Sequence, residues 1–231
     1  REFKPKNRNN IKIVLSTIFS VLSDENIIEF NFIKEIRNVK NPTTHITIYS
    51  KEDIEHITKL LHQHDYTLLL FIKLISYMFL RPVEILRIKI ENINFENKTI
   101  TIQTKTKSLQ TKIIPAILFE ELKTFSQNKN NFLFKPNNFT TWELDDNDKR
   151  NYFTRRFARF RKKFNIDKKF KLYSFRHTYI TKIYLELRKT KSKEETIKEL
   201  SLITGHQSKA IHNYIQVNDI ELPKDYSKYL I

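Results

Sequence analysis

Residues 68–84 read LLLFIKLISYMFLRPVE. From Leu68 to Leu80 the run is apolar almost throughout, with Lys73 its one charge, which predicts the most buried helix of the chain. Arg81-Pro82-Val83-Glu84 follows, and Glu84, three residues after Arg81, falls on the same helical face. Upstream, Ser50-Lys51-Glu52-Asp53 has the form of a capping box and opens a helix running to about His62. Downstream the period changes from helical to two. Ile100 and Ile102 alternate with Thr99, Thr101 and Gln103, and Ile113 and Ile114 follow a polar turn. This is a β-hairpin with Lys105 and Lys107 at its tip, on the face away from the isoleucines. Helical periodicity resumes at Ala116 and again near Asp148, Ser174, Ser192 and Ser208. The expected class is mostly α with a small antiparallel β-hairpin or sheet.

Toward the amino terminus, Ile11, Val14, Leu15, Ile18, Phe19 and Leu22 recur at helical spacing, and a second apolar segment spans Ile27 to Ile36. Asn41-Pro42-Thr43-Thr44 breaks the pattern and reads as a linker. Two domains are therefore expected, residues 1–42 and 43–231. Two helices do not enclose a core, so the first 42 residues should pack on something else. The chain starts at Arg1 without a methionine and reads as a fragment of a longer protein. There is no internal repeat, and the richness in Ile, Lys and Asn is what AT-rich codons supply.

Forty-two Lys and Arg against 26 Asp and Glu leave a net charge of +16 over 231 residues. Such a balance predicts a polyanionic partner, with phosphate contacts supplying salt-dependent affinity. Bilayer binding is the weaker reading, since no apolar run approaches the roughly 18 residues a span requires, and a cytoplasmic, nucleoid-associated location is expected. Without cysteine there is neither a disulfide framework nor a thiolate zinc site. His56, His62 and His64 lack supporting carboxylates and read as solvated helix histidines, so no metal is expected. Phe153, Phe157, Phe160 and Phe164, spaced four, three and four apart, line one helical face. Arg155, Arg156, Arg159, Arg161 and Lys163 point elsewhere on that helix, and Lys168, Lys169 and Lys171 extend the basic patch. With few acids to offset them, these cations are read as a grip on double-stranded DNA, joined by Lys107.

Five elements follow one another in order: Arg81-Pro-Val-Glu84, Lys105 in Thr-Lys-Thr, Tyr173-Ser-Phe-Arg176-His177, Gly205-His206, and Tyr214 eight residues beyond that histidine. Their order and spacing resemble the catalytic set of the tyrosine recombinases, the phage-integrase family, which cut and rejoin DNA through a phosphotyrosine. The resemblance implies the DNA breaking-rejoining catalytic fold for residues 43–231 and a remnant of a helical core-binding domain before it. It implies Arg81, Glu84, Lys105, Tyr173, Arg176, His206 and Tyr214 as the site. Lys105 would protonate the leaving 5′ oxygen, with Lys107 the alternative, His206 would bond a non-bridging phosphate oxygen, and Tyr214 would attack. Tyr226 and Tyr229 are fallback nucleophiles. Tyr173 stands where many members carry histidine. Neither metal nor cofactor is required by such chemistry, because the phosphodiester energy is kept in the tyrosyl link. Implied partners are further copies of the chain, a tetramer in the synaptic complex, and an accessory DNA-bending protein. The carboxy-terminal segment 221–231 would dock on a neighbouring subunit.

Physical chemistry supports the residue types. Charge develops on the equatorial oxygens of an attacked phosphodiester, and preorganised cations aimed at it give the largest catalytic contribution. Arginine grips phosphate bidentately and stays charged. A phenol with an ordinary pKa of about 10 is activated by a cationic pocket. Gly205, the single glycine of the chain, predicts a left-handed residue ending the helix capped at Ser192. Two other functions fit much of the pattern: a catalytically impaired sequence-specific DNA-binding protein, given Tyr173, and a type IB topoisomerase-like enzyme.

Overall fold

The computed structural model describes residues 3–41, 47–104, 108–126, 132–134, 145–205 and 211. Backbone contacts separate the chain into two compact units, Arg1–His45 and Ile46–Ile231.

In the first unit helix α1 spans Pro5–Asp24, with proline at its opening turn, and none of its residues is buried. The expected second helix is instead a four-residue 3₁₀ turn, Phe32–Glu35. Asn31 is the reason: its side chain accepts from the Ile33 amide (3.1 Å) and donates to the Ser16 carbonyl (2.7 Å) and Ser20 Oγ (2.9 Å). Side-chain bonds of this kind compete with an α-helical ladder, and here they fold the segment back on α1, where Phe32 meets Phe19 edge-on at 5.0 Å.

The second unit opens with α2 (Lys51–His64). Ser50 Oγ accepts from the Asp53 amide (3.1 Å) and Asp53 accepts from the Ser50 amide (3.0 Å), the expected capping box. Helix α3 (Tyr66–Tyr77) is the buried helix foreseen, and its one charge is neutralised where Lys73 Nζ meets Glu121 Oε2 at 2.6 Å. Next come α4 (Pro82–Leu86), strands β1 (Ile93–Asn94), β2 (Thr99–Gln103) and β3 (Leu109–Ile113), and helices α5 (Ala116–Lys123), α6 (Asp146–Lys163), α7 (Ser174–Leu187) and α8 (Lys193–Thr204). The sheet is antiparallel in the order β1-β2-β3. The sequence revealed the β2–β3 hairpin; two-residue β1 is too short to carry a period.

One core joins α2, α3, α5, α6 and the sheet. Phe71 of α3 stacks on Phe153 of α6 at 3.9 Å between ring centres. The phenylalanine stripe of α6 is buried at Phe153, Phe157 and Phe160. Tyr49 is sandwiched between Phe170 and Phe175, and its hydroxyl donates to the Lys171 carbonyl (3.1 Å), which fixes the approach to α7. A second cluster, Phe79, Ile180, Tyr184, Leu200 and Ile211, packs α7 against α8 and the end of α3. Among the described residues no helix is long and apolar enough to cross a membrane.

Candidate functional site

The turn between α3 and α4 delivers Arg81. Proline at the first helical position starts α4 at once, and Glu84 occupies its third. The Glu84 carboxylate accepts from the Arg81 amide (2.7 Å) and from Arg81 Nη1 (2.8 Å), so one acid caps the helix and orients the guanidinium. Glu84 is 4% exposed, while the Arg81 side chain remains 43% exposed. Arg176, in the first turn of α7, is 1% exposed, and its Nη1 donates to the Phe79 carbonyl. Its guanidinium carbon lies 5.6 Å from the ring centre of Tyr173, the residue that precedes α7.

A third cation belongs to this centre and was not foreseen. Lys112 of β3 donates from Nζ to the Met78 carbonyl (2.9 Å) and to the Thr204 carbonyl (3.0 Å). Its ammonium pKa is lowered to about 8, first by burial and next by Arg176, with Glu84 opposing and Arg81 adding to the effect. Three cations and one carboxylate thus share a partly buried, net-positive centre. Lys112 escaped the sequence reading because alternation was judged from the isoleucines. On β3 the inward positions are polar, while Ile113 is 78% exposed.

Beside this centre, between α4 and α6, opens a cleft of about 780 Å³. Arg81, Arg87, Arg150, Arg161 and Lys171 supply cations to its wall, against the carboxylate of Glu84 alone among the described residues. Arg87 and Arg150 had no sequence signal beyond their charge. Of the cations assigned to a DNA grip, Arg155, Arg159, Lys163, Lys168 and Lys169 are exposed. Arg161 is half-buried, its guanidinium 5.5 Å from the Phe157 ring centre. Arg156 is engaged within the protein. Its Nε and Nη2 each reach an Asp65 oxygen at 2.7 Å, tying α6 to the start of α3, and Nη1 donates to the Tyr152 hydroxyl (3.0 Å).

Helix α8 opens with the capping box Ser192/Glu195 and ends at Gly205, whose φ of +73° is left-handed as expected. The positive φ is the obstacle to a side chain there; an added Cβ would lie 2.7 Å from Gln110 Nε2, the flexible end of a side chain that can move aside. The remaining sequence candidates, Lys105, Lys107, His206, Tyr214, Tyr226 and Tyr229, and the segment 221–231, lie outside the described residues.

The family model described as the phage integrase family matches residues 48–219. The chain belongs to that family. Solved structures agree in fold. The integrase of the Tn1549 transposon, solved in complex with a circular intermediate DNA, is 17% identical with a TM-score of 0.71, over 97% of this chain and 78% of that one. The XerA recombinase is 18% identical with a TM-score of 0.58, over 94% and 80%. A lambda integrase dimer bound to a COC′ core site is 15% identical with a TM-score of 0.66, over 95% and 63%. No curated protein matches the sequence. The family and the mostly helical fold with its small antiparallel sheet are thus those that the motifs implied, and site-specific DNA recombination is the general activity to which they point.

Proposed function

We propose that the chain is a site-specific recombinase that cleaves and rejoins DNA strands through a 3′-phosphotyrosyl intermediate, serving a mobile element. One observation carries this reading. Arg81, clamped by Glu84, and Arg176, buried in the first turn of α7, meet in one net-positive centre at the edge of a cleft rimmed by cations. The arginine pair neutralises the charge that grows on the phosphate oxygens during attack, and it needs no reorganisation to do so. Tyr214 is the nucleophile; its phenol gives its proton to water, its oxygen bonds phosphorus as the bond to the 5′ oxygen breaks, and the ammonium of Lys105 or Lys107 protonates that leaving oxygen. His206 bonds a non-bridging oxygen. Tyr173 takes the place of an imidazole, where its ring lies against Arg176. Reversal of the same steps with a different 5′ hydroxyl joins the exchanged strands.

DNA is held along the basic surface of α6 by Arg155, Arg159 and Lys163 and beyond it by Lys168 and Lys169. Residues 1–42 are a remnant of a core-binding domain, and four copies assemble on two sites, with an accessory DNA-bending protein where the site requires one. The relatives solved with DNA support this partner.

The test is a duplex carrying the chain's own recombination site, with a nick that traps cleavage. Wild type should leave a protein–DNA adduct that survives denaturation, and Tyr214→Phe should leave none. Binding without an adduct would favour the impaired DNA-binding protein, while plasmid relaxation without strand exchange would favour a topoisomerase.

A further inference from the structure

Strand β3 sets its side chains against expectation. Its pairing with β2 puts Lys112 opposite Ile100 and Gln110 opposite Ile102, so all four share one face of the sheet. Ile100 and Ile102 are buried, whereas Leu109 and Ile113 on the other face are 74% and 78% exposed. A strand that turns its apolar residues outward and a lysine inward forfeits hydrophobic burial and desolvates a charge. The lysine is held by what it bonds.

Its two acceptors come from separate parts of the site. The Met78 carbonyl lies three residues before Arg81, and the Thr204 carbonyl immediately before Gly205-His206. The first acceptor belongs to a strained turn: Phe79, an aromatic residue, has a φ of +54°, a left-handed conformation that bulky side chains rarely adopt. Such strain persists only where the surroundings over-determine it. Here two successive carbonyls of the turn are each taken by a cation, Met78 by half-buried Lys112 and Phe79 by buried Arg176. The second acceptor closes α8, where the Gly205 amide donates to the Ser201 carbonyl (2.8 Å). One ammonium therefore ties the turn that delivers Arg81 to the helix end that leads into His206.

We infer that Lys112 is a positioning residue of the recombination site, holding the Arg81 turn and the Gly205 end of α8 in one fixed relation. The inference rests on the reading of Arg81 and His206 given above. The ammonium is held there at a cost, since burial first and Arg176 next lower its pKa while Glu84 opposes them.

The chain has no cysteine, so Lys112→Cys introduces a single thiol. Alkylation in denaturant with 2-bromoethylamine, bromide leaving, gives a thioether ending in an ammonium, close in length to lysine. Alkylation with bromoethane gives an apolar thioether instead. After refolding, three quantities are measured: DNA affinity, the rate of adduct formation on the nicked duplex, and amide hydrogen exchange in residues 78–81 and 203–205.

Lys112→Cys should form adduct at least tenfold more slowly than wild type, bind DNA within threefold of it, and exchange faster in both segments together. The aminoethylated chain should return to within threefold of wild type in rate and recover protection in both segments, and the ethylated chain should do neither. Equal rescue by both reagents would overturn the inference by reducing Lys112 to a space filler, as would loss of protection in only one segment or in none. If wild type itself forms no adduct, the proposed function fails, and the exchange data alone decide the role of Lys112. Should the alkylated chains not refold, exchange in natively purified Lys112→Met decides it: faster exchange in both segments supports the tie, and any other pattern overturns it.

Discussion

Arg176 and Arg159 carry the same guanidinium in opposite surroundings. Arg176 is 1% exposed and holds the Phe79 carbonyl, whereas Arg159 stands exposed on α6. Arg156, three residues before Arg159, belongs with the first kind, because Asp65 takes both edges of its fork. A net charge of +16 thus contains two populations. Inward cations shape the protein and its site, and outward cations are available to a polyanion. Removing one of the former should cost folding and chemistry; removing one of the latter should cost affinity that salt already weakens.

The sharpest test of that division is Arg176→Met. With the Phe79 carbonyl left unpaired, stability should fall by roughly 2–4 kcal/mol in denaturant titration, and adduct formation by about 10²- to 10³-fold. An adduct rate near that of wild type would remove Arg176 from the site.

Lys112 gives the pH counterpart. Its pKa is about 8 in the folded chain against an ordinary 10.5, so between those values the unfolded chain binds more protons and stability rises with pH. The cost of burying the ammonium is borne in full below about pH 8 and is relieved as pH climbs toward 10.5, by roughly 3 kcal/mol at most. Wild type should therefore gain melting temperature relative to Lys112→Met between pH 8 and 10. Parallel curves would show that Lys112 is not held inside as a cation.

Arg156→Ala should cost about 1–3 kcal/mol, since it leaves the mostly buried Asp65 carboxylate without its fork, yet keep the salt dependence of DNA binding unchanged. Arg159→Ala makes the converse and smallest case. Stability should stay within about 0.5 kcal/mol, while the slope of log affinity against log salt falls by roughly 0.9, the share of one phosphate contact. If the two variants exchanged behaviours, the division between inward and outward cations would collapse.

Local chemistry made much of this molecule legible. Ser50 and Asp53, three residues apart, form the cap their types predict, and Arg81 and Glu84 meet at the same spacing. Gly205 takes the left-handed turn that its uniqueness suggested. What stayed hidden depended on partners far along the chain or on broken alternation. Asp65 reaches Arg156 across 91 residues, a pairing that no spacing rule contains. Lys112 faces inward because β3 pairs in a register that puts Ile113 outside, which only the partner strand reveals. The segment from Ile27 to Ile36 has helical composition, but Asn31 spends its side chain on α1 and on the Ile33 amide, and the helix never propagates. For the candidate site, Arg81, Glu84, Tyr173 and Arg176 were visible as motif residues. The sequence held no sign that the carbonyls of Met78, Phe79 and Thr204 would be gathered by two of its cations.

The lone glycine has a consequence at the level of the gene. A glycine codon is GC-rich in its first two positions, and every single-base change that alters its meaning either stops the chain or adds a Cβ. At position 205 that carbon would strain a left-handed backbone and push aside the flexible end of Gln110. At this triplet the AT-rich codon usage that the Ile, Lys and Asn content suggests and the left-handed backbone pull against each other. Among variants of this gene that still fold, codon 205 should change less often than the codon of an exposed neighbour such as Leu202.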